Sequence, residues 1–247
     1  MPKLGPPSRT LTMRQRVLQQ VQAALPRRDV LVRVAPFALF MLLLALRGAL
    51  PPGNAWGIDE RWLYGLTVAL VGGLLVAWRR DYGELARVNA PTRREAGVAA
   101  VVGVIVFGLW ISLDAPVLQI GHATARFVPI DAQGRLDVPL IVLRWIGAAL
   151  LVPVMEELFW RSFLMRWLQH PRFEGVPPQR VGLRAIVLST FLFMLAHTLW
   201  LAAILAGLAY AGLYVRTGKL WPAVIAHAVT NGVLGVWVVA TGQWQFW

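Results

Sequence analysis

The chain has no cysteine, and it has little charge: 24 Lys and Arg and 12 Asp and Glu in 247 residues. Without cysteine there is no disulfide, no thiolate nucleophile and no Cys-ligated metal. The scarcity of charge excludes more. Charged residues make up 15% of the chain and hydrophobic residues 57%, where an average soluble domain has about 25% charged. A soluble fold of this size cannot hide so much apolar surface from water. A soluble globular enzyme and a disordered chain are both excluded, which leaves a polytopic membrane protein. The length admits about seven spans of roughly 20 residues with short loops. Internal repeats and low-complexity segments are also absent. So are the His-Glu-x-x-His helix of zinc peptidases and the Gly-x-Ser-x-Gly turn of serine hydrolases.

The net charge of +12 does not point to nucleic acid, because the basic residues sit between apolar runs and are not gathered in one domain. They follow the loops of a membrane protein, where Lys and Arg mark the cytoplasmic side. The N-terminal segment carries Lys3, Arg9, Arg14, Arg16, Arg27, Arg28 and Arg33. The next basic connections carry Arg79, Arg80, Arg87, Arg93 and Arg94, then Arg166, Arg172, Arg180 and Arg184, then Arg216 and Lys219. The intervening connections hold only Arg47, Arg61, Arg126 and Arg135. This pattern places the N-terminus in the cytoplasm and the C-terminus outside.

The expected fold is an all-α integral membrane bundle of about seven transmembrane helices. Residues 1–30 form a basic N-terminal segment with no cleavable signal peptide. Within it, Met13, Val17, Val21 and Leu25 recur every four residues, as in a helix lying on the membrane surface. Residues 31–137 hold spans 1 to 3, near 31–50, 62–78 and 96–118, and a polar connection. Residues 138–240 form the helical core, with span 4 near 138–168, spans 5 and 6 within 183–215 and span 7 near 220–240. Residues 241–247 are a tail. Trp62, Trp78, Trp110, Trp200, Trp221, Trp244 and Trp247 fall near span ends, as in an interfacial belt. Ala203, Gly207 and Ala211 share four-residue spacing suited to close helix contact.

Ionisable residues inside spans are costly and mark function. Among the acids, Glu156 and Glu157 stand out, set in Leu150-Leu-Val-Pro-Val-Met-Glu-Glu-Leu-Phe-Trp-Arg161. Arg161 lies four residues after Glu157 and shares its helix face; Glu156 points about 100° away. His197 follows Phe193 by four positions, and His227 and Asn231 are four apart on one face of span 7. At about 1.5 Å per residue, Glu156 lies roughly 15 Å inside Arg166 and His227 roughly 10 Å inside Leu220, so the two reach similar depth. Residues 183–215 are too few for two full spans and a turn. A hairpin turning within the membrane, tolerated where it lines a protein cavity, brings His197 toward the same depth. His122 and His170 are assigned no role.

The ordered set Glu156-Glu157-x-x-x-Arg161, Phe193-x-x-x-His197 and His227-x-x-x-Asn231, with Tyr214-Val-Arg-Thr-Gly-Lys-Leu-Trp-Pro222 before the last, resembles the CPBP family. These are the CAAX proteases and bacteriocin-processing enzymes, also called the Abi family. The resemblance covers about 138–239. The stretch Pro36-Phe-Ala-Leu-Phe-Met-Leu-Leu-Leu-Ala-Leu46 and the Trp62-Leu-Tyr region are similar to the exosortase-associated CAAX-protease-related subgroup. The resemblance implies an intramembrane endopeptidase of a multi-pass membrane protein, in a bacterial inner membrane, acting on a protein or peptide that in eukaryotic members is prenylated. It implies that Glu156 and His197 activate a water, that His227 and Asn231 stabilise the oxyanion, and that Glu157 and Arg161 position the site. The chemistry is sound on its own terms: a carboxylate facing an apolar cavity can act as a general base, and fixed donors there stabilise developing charge.

Metal is left open. Glu156, His197 and His227 would supply three protein ligands to a catalytic zinc, while the resemblance favours a metal-free glutamate mechanism. The alternative function is a non-enzymatic immunity or scaffold protein on the same fold, in which the same residues form a buried polar network. A proton-relay transporter is disfavoured, because spans 1 to 3 carry no matching acids and no inverted repeat is visible. Oligomeric state is not legible.

Overall fold

The computed structural model describes residues 27–49, 59–121 and 127–247. The surface helix expected near residues 12–25, the Pro-Pro-Gly stop after the first span, His122 and Arg126 lie outside the described residues. Seven helices are formed among the described residues: α1 (Arg28–Ala49), α2 (Trp62–Ala77), α3 (Arg93–Ser112), α4 (Val138–Gln169), α5 (Leu183–Leu195), α6 (Trp200–Thr217) and α7 (Trp221–Thr241). Among the same residues there is no strand, only two isolated bridges, Gln119 to Leu199 and Ile130 to Leu136. The expected all-α membrane bundle is the observed fold. Five of the helices are long and apolar enough to cross a bilayer. The two expected spans that fall short are α2, with 16 residues, and α5, with 13.

Local sequence explains the helix ends. Thr92 and Glu95 form a capping box at the start of α3, which satisfies two otherwise orphaned backbone donors. Asp137 accepts from the backbone of Leu140, and α4 opens on Val138-Pro139, where proline costs nothing. Helices α6 and α7 end on Gly218 and Gly242, both with positive φ, the left-handed cap that glycine adopts without strain.

Helix α4 is not a uniform α-helix. Two π segments, Gly147–Leu151 and Leu158–Met165, flank the short α-helical stretch Val152–Glu157. Such insertions widen the turn and reorient the residues that follow. The two glutamates therefore occupy the end of a regular stretch held between two widened ones.

Outward faces are apolar. Leu42, Leu46, Val101, Ile105, Val187, Phe191 and Val236 are all exposed, an exterior that belongs against lipid chains. Inward, small residues let helices approach. Gly103 of α3 lies against the Ala226 carbonyl and Val229 of α7, and Thr230 donates to the Gly103 carbonyl at 2.8 Å. Ala203, Gly207 and Ala211 of α6 are buried, with Gly207 against Thr190 and Phe193 of α5, as their spacing predicts.

The basic end of the bundle is tied by a polar network. Arg33 of α1 is buried and grips Glu84 through two hydrogen bonds of 2.8 Å. Ser162 of α4 also donates to Glu84, and Arg166 bonds the Ser162 hydroxyl at 2.9 Å. Burial acts to raise the Glu84 carboxyl, but the Arg33 guanidinium and the Ser162 hydroxyl outweigh it and hold the group below its ordinary value. Arg33 is thus a structural anchor as well as a loop charge.

Candidate active site

The adjacent glutamates have opposite environments. Glu157 is fully buried. Its Oε1 accepts from Arg161 Nη1 at 2.9 Å, one turn further on, and from His227 Nδ1 of α7 at 2.9 Å. The Arg161 guanidinium is itself enclosed, 4.6 Å from the Phe193 ring centre and 5.3 Å from that of Tyr210. A second Arg161 nitrogen donates to the Gly207 carbonyl at 3.4 Å. Glu156 is also buried, yet its Oε2 has no hydrogen-bond partner among the described residues. Glu157 Oε2 likewise lacks a partner among the described residues, but Glu157 is held through its other oxygen, whereas Glu156 bonds to none of the described residues. Buried carboxylates are normally satisfied, and the explanation for Glu156 lies in the space it faces.

That space is a cavity of about 270 Å³. Glu156, His197, His227 and Asn231 all line it, together with Tyr210, Thr230, Phe193 and Trp110. Glu157 and Arg161 stand behind it, reaching it through His227.

The backbone sets each ring. His197 lies in the turn between α5 and α6. Its Nδ1 is 2.7 Å from the Phe193 carbonyl. A carbonyl can only accept, so Nδ1 carries the hydrogen and Nε2 is the free nitrogen. The turn itself is secured by the segment after α3: Ile120 donates to the Thr198 carbonyl at 2.8 Å, and the Trp200 indole donates to Val117 at 3.2 Å. The Trp110 ring meets the His197 ring edge-on at 5.7 Å. His227 is fixed in the same way. Its Nδ1 donates to Glu157, and its ring stacks on Tyr210 at 5.0 Å and 18°. Tyr210 in turn bonds Thr230 at 2.8 Å. Asn231 gives one amide hydrogen to the Ala148 carbonyl at 2.9 Å, a carbonyl inside the first π segment of α4. An amide nitrogen has two hydrogens, so one remains.

All six residues singled out from sequence thus meet in one place, in two groups. Glu156, His197, His227 and Asn231 face the cavity; Glu157 and Arg161 form a buried pair that orients His227. Sequence reasoning missed Tyr210 and Thr230, which hold His227 from behind. It also missed Arg144, which lines the cavity from the same helix as Glu156. The rule that flagged the glutamates, an ionisable residue within a span, applies equally to Arg144. Trp110 and Trp247, read as belt residues, line the cavity too.

Metal fit is a question of donor grouping. Among the described residues, no three His, Asp or Glu side chains are gathered as a metal site.

The fold and the cluster define a class: an integral multi-pass membrane protein with a carboxylate, two oriented imidazoles and a carboxamide around one enclosed cavity. Residues 138–233 match the family model described as type II CAAX prenyl endopeptidase Rce1-like; this segment carries every residue of the cluster, and the match supports the CPBP/CAAX protease family. The family is one of peptidases. The match does not reach the N-terminal helices on which the exosortase-associated subgroup rests. No curated protein and no solved structure gives a significant match to the chain.

Proposed function

We propose that the chain is an intramembrane endopeptidase that hydrolyses a peptide bond with a water activated by Glu156 and His197. The observation that carries this reading is the contrast within the glutamate pair. Glu157 accepts from Arg161 and His227 and stays outside the cavity, while Glu156 lines the cavity and forms no hydrogen bond with any described residue.

In the proposed step a water lies between Glu156 and His197 Nε2. Its oxygen attacks the scissile carbonyl carbon and its proton passes to Glu156. The carbonyl oxygen becomes an oxyanion, which accepts from the remaining Asn231 amide hydrogen and from Nε2–H of a protonated His227. The C–N bond then breaks, and Glu156 returns the proton to the departing amine. Glu157 and Arg161 touch no reacting atom; they fix the His227 ring. Donors held in a water-poor cavity act on developing charge without reorganising. The apolar lining supplied by Phe40, Leu44, Phe193 and Leu234 suits a substrate segment drawn from the bilayer, including a lipidated one. The basic loops favour a topology with the N-terminus in the cytoplasm, and a bacterial inner membrane is the setting we propose.

The test is turnover of a peptide library by the purified protein, read by mass spectrometry as new termini, with Glu156→Ala and His227→Ala beside wild type. The proposal expects cleavage by wild type and loss of it in both variants. Full activity in either would remove the role given to that residue. A wild type that cleaves nothing, with variants that lose only stability, would favour the immunity or scaffold reading.

A further inference from the structure

The cavity extends along α4 from Glu156 to Arg144 and ends among Arg144, Phe246 and Trp247, away from the basic loops. This end of the bundle has few cations, and most are accounted for. Arg61 is paired with Asp59 at 2.6 Å and Arg135 with Asp131 at 2.9 Å. Arg47 and Arg144 differ. All 12 Asp and Glu of the chain lie among the described residues, and neither arginine forms an ion pair with any of them. Both guanidinium groups crowd the same two rings. Arg144 is 4.5 Å from the centre of Tyr64 and 5.7 Å from that of Phe127; Arg47 is 5.9 and 6.0 Å from them. Among the described residues, Arg144 Nε and the Tyr64 hydroxyl are buried donors without a partner.

Two like charges beside unsatisfied donors in a membrane bundle are costly without a counter-charge. Aromatic faces offset part of that cost, but they cannot accept the hydrogen bonds of Arg144 Nε and Tyr64. An anionic ligand in the cavity can offset the charge and accept from Arg144, the one of these groups that lines it. A guanidinium with an unsatisfied edge suits a carboxylate, which it binds through paired hydrogen bonds.

We infer that Arg144, which lines the cavity while Arg47 stands beside the same two rings outside its lining, is a specificity-determining subsite that binds a carboxylate of the peptide substrate. This inference rests on the peptidase reading, and it adds a requirement to it. Twelve residues of helix separate Arg144 from Glu156, roughly 18 Å at 1.5 Å per residue. An extended peptide covers that in about five residues. The preferred substrate therefore carries a carboxylate about five residues from the scissile bond, either its C-terminus or an acidic side chain.

Binding tests this without turnover. Full-length Glu156→Gln protein is placed in phosphatidylcholine nanodiscs. It is titrated with three fluorescent apolar octapeptides: one with a free C-terminus, its C-terminal amide, and the amide with one internal Glu. At least one acidic peptide is expected to bind roughly tenfold tighter than the neutral amide, the order of one charge-assisted hydrogen bond, and the better of the two identifies the source of the carboxylate. Arg144→Gln is expected to erase the difference while leaving the amide's affinity unchanged, and Arg144→Lys to retain part of it. Equal binding of all three peptides by the arginine form would overturn the inference, with no variant needed. So would a preference that survives Arg144→Gln in folded protein. Loss of copurifying phosphatidylglycerol on Arg144→Gln, with no peptide preference, would assign the cations to lipid and also overturn it. A carboxylate preference without any cleavage would remove the peptidase reading alone; cleavage without the preference would remove the subsite alone.

Discussion

Glu156 and Glu157 are neighbours in sequence with the same side chain, and the structure predicts that replacing them has opposite consequences for stability. Glu157 is the common acceptor for Arg161 and His227, at 2.9 Å each. Arg161 is 3% exposed. Glu157→Ala leaves that guanidinium buried without its counter-ion, and breaking a buried pair from one side costs about 3–5 kcal/mol. In a chain of this length that lowers the unfolding midpoint by on the order of 10 °C. Glu157→Gln keeps the volume and one acceptor oxygen, so it falls between wild type and Ala. Glu156, unlike Glu157, forms no hydrogen bond or ion pair with any described residue, and its buried Oε2 has no partner among them. Glu156→Gln therefore removes a desolvated carboxylate and breaks no ion pair, and its midpoint should equal or exceed that of wild type. The assay is thermal unfolding of the purified proteins in one detergent, followed by intrinsic tryptophan fluorescence. A Glu156→Gln protein as unstable as Glu157→Ala would refute the reasoning, because it would mean that Glu156 carries a structural bond. Glu157→Ala at wild-type stability would refute it from the other side.

Asn231→Ala removes one donor to the proposed oxyanion and should lower kcat about 10²–10³-fold. The lost bond to Ala148 should cost only about 1 kcal/mol, and unfolding midpoints beside steady-state kinetics separate the two effects. Gly103→Ala drives a methyl into the Ala226 carbonyl and to 2.8 Å from Val229, so about 1–3 kcal/mol should be lost. Gly108→Ala on the same helix meets nothing within 4 Å and should be neutral or stabilising; equal effects of the two changes would contradict the close α3–α7 contact. Glu84, held below its ordinary value of 4.5 by Arg33, adds stability that is fully present above pH 4.5. That contribution is lost as pH falls below 4.5 and through the folded value. Stability measured from pH 6 to pH 3 should therefore drop more steeply in wild type than in Glu84→Gln, and parallel curves would contradict the Arg33–Glu84 anchor.

Periodicity and the cost of charge in lipid made the glutamates, both histidines and Asn231 legible, because each is a polar residue at helical spacing in an apolar run. The i, i+4 relation of Glu157 and Arg161 translated directly into an ion pair, and the short 183–215 segment into a short α5 that ends at the His197 turn. Other features depend on tertiary context. Nothing in Gly147–Leu151 or Leu158–Met165 announces a π segment. The partner of Asn231, a backbone carbonyl on α4, has no sequence signature. Trp110 has the composition of a belt residue, and only the packing of the segment after α3 on the His197 turn makes it a wall of the cavity. Arg144 was legible in principle, but a lone arginine in a span shows its meaning only when the acids that might pair with it are placed elsewhere.

The central claim is that Glu156 does chemistry and not architecture. The most direct test is kcat/KM for a cleaved peptide in wild type and Glu156→Gln, with unfolding midpoints measured on the same preparations. The account predicts a loss of at least about 10²-fold, the scale of a removed general base, at an unchanged or raised midpoint. Glu156→Gln activity within a few-fold of wild type, in protein of normal stability, would contradict it.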